Sequence, residues 1–120
     1  MMTDKATIHV NFRSPGRHRW PDAGGERAYL ANEHRHLFHV QVSTPVGHDD
    51  RAIEFHDLRD KALEIFESLS HGTGDLGTLS CEMMAREMCR RLLHTYPRGS
   101  QFWFSVSVFE DGECGATVVA

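Results

Sequence analysis

The sequence predicts a single α+β domain over residues 1–120, with two helices covering one face of an antiparallel four-stranded sheet. Segments with the two-residue alternation of half-buried strands stand near both ends of the chain, at 5–12 and 101–112. Between them lie two segments, 55–72 and 81–96, with apolar residues at helical spacing. A 120-residue chain with 40% hydrophobic and 25% charged residues can form one modest core.

The strands are predicted from alternation and from the turn residues around them. "KATIHVNF" (5–12) places every second residue on an apolar face, and the Pro- and Gly-rich stretch 13–27 after it is typical of a loop. A second strand is predicted to begin at about Glu33 and to include "HRHLFHVQVSTPV" (34–46). "QFWFSVSVFEDG" (101–112) ends in the hairpin signal Asp-Gly, so "ECGATVVA" is predicted as the last strand.

The two helices carry start and stop signals. The first repeats apolar residues from Leu58 to Leu69, and Gly72 stands just past its end. In the second, Ser80 is a suitable N-cap and Glu82 lies near the positive end of the helix dipole. The order is therefore strand, strand, helix, helix, strand, strand, with antiparallel connections.

Composition argues against several classes of function. A net charge of −4 without a basic, aromatic-rich run disfavours nucleic-acid binding. No apolar run approaches the roughly 20 residues that span a bilayer, and "MMTDKATIHV" lacks a signal-peptide core, so we expect a cytoplasmic protein. Three irregularly spaced cysteines do not suggest a disulfide framework.

Histidine is the unusual residue, with nine copies and a cluster in "NEHRHLFHVQV" (32–42). On a strand, His34 and His36 project from the same face and can both reach one metal ion, whereas His39 faces the other way. A catalytic zinc site typically has three protein ligands and one open position. His18 is the natural third ligand, and the alternatives are His9, His48 and His71.

Other interpretations of these residues remain open. The His-x-His pattern also occurs by chance on exposed strands, and Cys81 and Cys89 fit the buried stripe of the second helix better than a metal site. Glu110 continues the apolar row of its strand, where an unpaired carboxylate is costly. It is either a solvated strand end or a bidentate acceptor for a planar ligand with adjacent N–H donors, such as a pterin or purine edge.

Five short motifs, in order along nearly the whole chain, together resemble the 6-pyruvoyl-tetrahydropterin synthase and 6-carboxytetrahydropterin synthase family. "GRHRW" (16–20) resembles the family's "SASHRL", and "HRHLFHVQV" (34–42) resembles "HGHSYxVEV". "AIEFHDLRD" (52–60) is similar to "xxDFxxLK", "SCEMMA" (80–85) to "TxENLA", and "VSVFEDGECGATV" (106–118) to "VxVxET…A".

The resemblance implies a T-fold that assembles side by side into a homo-oligomeric barrel, with active sites between subunits. It implies Zn²⁺ bound by His18, His34 and His36, and Glu110 anchoring a pterin ring. The activity implied is a lyase reaction on 7,8-dihydroneopterin triphosphate, in which zinc acts as a Lewis acid while a protein base moves protons. Its products feed 7-deazaguanine (queuosine-type) or tetrahydrobiopterin synthesis.

The chain departs from the family at the proton-transfer residues. The family's cysteine, four to six residues before His-x-His, is replaced by Leu30 or Ala28, and the aspartate of its Asp–His pair is missing while His71 is kept. His71 is the preferred candidate base because its intrinsic pKa is near neutral. Alternative residues that could assist or replace it are Glu33, Glu26 and Asp75.

Three hypotheses follow. The first is a zinc-dependent pterin lyase with altered proton-transfer residues. The second is a non-catalytic protein of the same fold that binds zinc and a pterin, motivated by the absent cysteine. The third is a small structural or interaction domain whose histidines have no ligand.

Overall fold

A computed structural model describes residues 5–120; the first four residues of the predicted domain lie outside it. The chain forms one four-stranded sheet in the order β1-β2-β3-β4, and every neighbouring pair is antiparallel. The predicted α+β class with a four-stranded antiparallel sheet is therefore confirmed. The elements are β1 (Ala6–His18), a 3₁₀ helix (Gly25–Ala31), β2 (His34–Val46), α1 (Phe55–Ser68), α2 (Cys81–Thr95), β3 (Ser105–Glu110) and β4 (Cys114–Val119).

The even-numbered residues of the strands form the buried face of the sheet. Val10, Val42 and Val106 stand opposite one another on three neighbouring strands, and all three are buried. Both helices cover this face, because their apolar stripes belong to the same core cluster as the strand residues. The helical members of that core are Leu58, Ala62, Phe66, Cys81, Met84, Ala85, Met88, Cys89 and Leu92.

β1 is longer than the sequence predicts, since it continues through residues 13–18 where a loop was expected. β1 lies at the edge of the sheet, where proline is tolerated because the missing N–H removes no ladder bond, so Pro15 does not end it. At Gly16 a Cβ atom would lie 2.9 Å from Leu76 Cδ1 and 3.1 Å from the Phe38 ring, so glycine allows close packing there. The extension makes His18 the last residue of a strand rather than part of a loop.

Capping fixes where both helices begin. Ser80 accepts a hydrogen bond from the Met83 amide at 3.1 Å, which confirms the predicted N-cap of α2. Glu54 does the same for α1, accepting from the Asp57 amide at 3.0 Å. No helix within residues 5–120 is long and apolar enough to cross a bilayer.

Candidate metal centre

Three histidines and one glutamate converge at one end of the buried face. His18 on β1 stands directly opposite His34 on β2, His36 follows two residues later, and Glu110 ends β3. All four are even-numbered, so the alternation that builds the core also points these side chains to one side of the sheet. Each offers one ligand atom, and these four atoms lie within 4.8 Å of one another.

The three imidazole rings are packed tightly. Ring centroids are 4.6 Å apart for His18 and His34, 5.0 Å for His34 and His36, and 5.4 Å for His18 and His36. His18 is buried, and the other two are partly buried. The predicted convergence of these three side chains is therefore present.

Each ring uses its outer nitrogen, Nδ1, for a hydrogen bond to an oxygen. His18 donates to the Leu79 carbonyl at 2.8 Å and His34 to the Asn32 carbonyl at 2.9 Å. His36 donates to Asp111 Oδ2 at 2.7 Å. Because these oxygens only accept, each Nδ1 carries a proton, and in the neutral imidazole the Nε2 atom then has the lone pair that a metal ion binds. Such outer bonds are the usual way in which metal-binding histidines are oriented.

Two of the inner nitrogens make no hydrogen bond. His18 Nε2 and His36 Nε2 are buried without a hydrogen bond, a rare and costly condition within folded proteins. Glu110 Oε2 lies 2.9 Å from His18 Nε2 and 3.6 Å from His36 Nε2, without hydrogen-bond alignment. A carboxylate that faces the lone pairs of neutral rings is repelled, and positive charge between them, from a metal ion or from protons on Nε2, makes these contacts attractive. The group can therefore hold a metal ion.

Asp111 supports this cluster from outside. Besides accepting from His36, it accepts from the Leu37 amide at 2.8 Å, and its own amide donates to the Leu37 carbonyl at 2.8 Å. The hydrogen bond from His36 is the main reason why the pKa of the Asp111 carboxyl is below its usual value, followed by the Leu37 amide. From the sequence, Asp111 was predicted only as a turn residue. That a second acidic residue directly follows Glu110 could have indicated a role beside the histidines.

A cavity of about 550 Å³ opens beside the cluster, within the size range of small-molecule sites. His18, His34 and Glu110 contribute to its wall, so a ligand within it reaches the candidate metal position. The remaining lining is mixed, with two large apolar side chains at the surface, Trp20 and Met83. The other lining residues are Arg19, Leu30, Thr78, Leu79, Ser80, Cys81, Glu82, Cys114 and Gly115.

Cys81 lines this cavity and is also buried in the core, as the sequence predicted. Burial raises the pKa of its thiol to about 12, and the negative charges of Glu110 and Glu82 add to the effect. The thiol therefore stays protonated near neutral pH, and Cys81 is poorly suited to replace the missing family cysteine as a base. Leu30, one of the residues at that family position, lines the cavity instead.

The two predicted catalytic residues lie outside the cluster, and neither lines the cavity. His71 is exposed just after α1, with a left-handed backbone at φ 53°. Glu33 is exposed and its carboxylate accepts from Arg17 Nε at 2.9 Å, on the side of the sheet opposite His18. Asp75, the residue suggested to orient His71, accepts instead from the Gly77 amide at 2.9 Å. Their catalytic roles stay predictions.

The alternative third ligands are also accounted for. His9 lies on the open face of the sheet, where Nδ1 is 2.7 Å from Ser43 Oγ. His48 accepts from the Asp50 amide in the turn after β2. Of the candidates, only His18 joins His34 and His36.

Comparison with known proteins adds nothing to this geometry. No protein-family model matches the chain, and no curated protein matches it. The family resemblance thus rests on the motifs and on what the residues themselves can do.

Proposed function

We propose that the chain is a zinc-dependent lyase of the tetrahydropterin-synthase type, acting on 7,8-dihydroneopterin triphosphate or a related pterin. The observation that supports it best is the set of three imidazoles with inward-facing Nε2 atoms beside a cavity that also contains a carboxylate. If the histidines bound no ligand, no benefit would offset the cost of three rings that each direct Nδ1 outward to an oxygen while buried Nε2 atoms make no hydrogen bond.

Each residue of the site has a separate role in this proposal. His18, His34 and His36 hold zinc, which supplies Lewis acidity to hydroxyls of the substrate's side chain when bound. Glu110 accepts adjacent N–H donors of the pterin ring, as a carboxylate does in a bidentate contact. Trp20 and Met83 provide apolar surface against which a planar ring packs.

The proton-transfer residue comes from another copy of the chain in this proposal. His71 is exposed and does not line the cavity, and the Cys81 thiol that does line it is protonated near neutral pH. In a T-fold barrel with active sites between subunits, the His71 of one subunit reaches the cavity of its neighbour. The exposed polar face of the sheet, with His9, Asn11 and Gln41, then lines the inside of the barrel.

A specific observation favours a second candidate function, a zinc- and pterin-binding protein without catalysis. Glu33 is paired with Arg17 and does not line the cavity, and burial keeps the Cys81 thiol protonated near neutral pH, so neither is suited to act as a base there. This candidate keeps the same metal ligands and the same ring contact. It differs only in lacking turnover.

One experiment separates the two. Protein purified without a His tag and loaded with zinc is incubated with dihydroneopterin triphosphate, and the products are identified by mass. The lyase proposal expects turnover that His71→Ala reduces by about 10²–10⁴-fold, the usual contribution of a general base. Tight pterin binding with no product at any subunit concentration contradicts it and supports the binding protein. His94→Ala, which changes another exposed histidine, serves as the matched control.

A further inference from the structure

Glu110 occupies a position that the ring-anchor role does not explain. Its Oε2 atom lies 2.9 Å from His18 Nε2 and 3.6 Å from His36 Nε2, among the atoms that would bind the metal. A carboxylate that grips two adjacent N–H groups needs both of its oxygens directed at the ring. The Glu110 carboxylate cannot make this two-oxygen contact while Oε2 lies among the ligand nitrogens of the histidines.

We propose that Glu110 is an exchangeable fourth metal ligand, an inference that rests on the metal site of the proposed function. In the resting protein its carboxylate completes the coordination of the metal held by the three histidines. A planar ligand with two adjacent N–H donors attracts the carboxylate away and frees that position for the ligand's own hydroxyl oxygen. Catalytic zinc sites need such an open position, whereas four protein ligands close the site.

The contacts of Glu110 allow this movement. Among residues 5–120 no group donates a hydrogen bond to its carboxylate, so only the cluster itself holds it. It also lines the 550 Å³ cavity, so a ligand there can reach it directly. The neighbouring Asp111 is different, because His36 and the Leu37 amide hold both of its oxygens. Asp111 is therefore tied to β2 by hydrogen bonds, whereas Glu110 is held only by its contacts with the histidines.

The exchange has a consequence for specificity. Simple polyols carry hydroxyls that bind metals but have no N–H edge to attract Glu110, so they meet a closed site. A ligand that carries both groups opens the site and fills it. Selection for the pterin-like ring is thus made at the metal, before any chemistry occurs.

The test uses Co²⁺ in place of zinc, because its visible spectrum reports changes in the ligand set without turnover. Addition of 7,8-dihydroneopterin to the wild-type Co²⁺ protein is expected to shift the visible bands, whereas glycerol at the same or higher concentration leaves them unchanged. A spectrum that dihydroneopterin does not alter on saturation, with binding followed by calorimetry, overturns the exchange. This arm needs no variant, so it does not depend on a mutant folding.

Variants supply the second arm. Glu110→Gln is expected to lower zinc affinity about tenfold or more in competition with a chelator, whereas Glu113→Gln, at an exposed site in the same hairpin, leaves it unchanged. Wild-type zinc affinity in Glu110→Gln together with lost dihydroneopterin binding overturns the inference and leaves a fixed ring anchor, with the proposed function intact. A wild-type protein that binds neither zinc nor Co²⁺ removes both proposals.

Discussion

His36 donates its Nδ1–H to Asp111 across 2.7 Å, although the two residues are 75 positions apart in the sequence. The same carboxylate accepts from the Leu37 amide, so it joins the start of β2 to the turn that ends β3. The contact fixes the orientation of the His36 ring, whose Nε2 atom lies 3.6 Å from Glu110 Oε2. One acidic side chain thus links the fold of the sheet to the geometry of the candidate metal centre.

Replacing Asp111 tests this link. Asp111→Asn removes the charged acceptor, and we expect zinc affinity to fall by about 10–100-fold, as it does for other outer partners of metal-binding histidines. Affinity is measured by competition with a chromophoric chelator. Asp49→Asn removes an equal charge at an exposed turn and serves as the control. Equal zinc affinity in the two variants contradicts a positioning role for Asp111.

Gly16 tests whether the end of β1 positions His18. In Gly16→Ala the new Cβ meets Leu76 at 2.9 Å and the Phe38 ring at 3.1 Å, so we expect a loss of roughly 1–3 kcal/mol in the free energy of unfolding. Zinc binding should weaken as well, because the strand shifts two residues before His18. Gly24→Ala is the control, since its Cβ meets nothing within 4 Å. Urea unfolding of both variants measures this loss, and equal unfolding midpoints would argue against close packing at Gly16.

The three cysteines should differ in their reactivity. Cys114 is exposed, whereas burial raises the pKa of Cys81 to about 12 and also raises the pKa of Cys89. At pH 8 an alkylating reagent should therefore modify Cys114 first, and Cys114→Ser should remove the fast phase. Mass spectrometry of time points measures this. Rapid labelling of Cys81 in the folded protein would show a thiolate there, and Cys81 would then again be a candidate for the catalytic base.

Glu87 provides a pH-dependent prediction away from the site. Hydrogen bonds from Arg90 and Arg91 lower its pKa in the folded chain to about 2, so folding favours the ionised form. Its stabilising contribution is present above the unfolded pKa of 4.5 and is lost as the pH falls toward 2. Because the pair is near the surface, we expect Glu87→Gln to cost less than about 1 kcal/mol at pH 7.

The measurement is urea unfolding of Glu87→Gln and the wild type at pH 7 and at pH 3. The difference in the free energy of unfolding should shrink at the lower pH. Glu64→Gln, at an exposed position of α1, is the control and should show little pH-dependent difference. A difference that grows on acidification contradicts the direction assigned to the pKa of Glu87.

Local patterns predicted much of this molecule. The alternation put His34 and His36 on one face of β2 and Glu110 in the apolar row of β3, because a two-residue period fixes which face a side chain takes. Helix spacing and the Ser80 cap likewise predicted where α2 begins. These features depend only on neighbours in the sequence.

What the sequence did not reveal depends on distant contacts. Pro15 and Gly16 are ordinary loop signals, and they lie in a strand only because β1 is an edge and Leu76 packs over Gly16. The role of Asp111 needs a partner on another strand. His71 was predicted as the base from the family resemblance and Glu33 from its position before the histidines, and neither lies in the cluster.

The metal content of the protein tests the central claim most directly. Protein prepared without a His tag is dialysed, and its zinc is measured by inductively coupled plasma mass spectrometry, beside His34→Ala and the His94→Ala control. The convergence of three inward-facing Nε2 atoms predicts about one zinc per chain in the wild type and the control, and almost none in His34→Ala. Wild-type protein that retains no zinc after loading, or His34→Ala that retains it fully, would contradict the account.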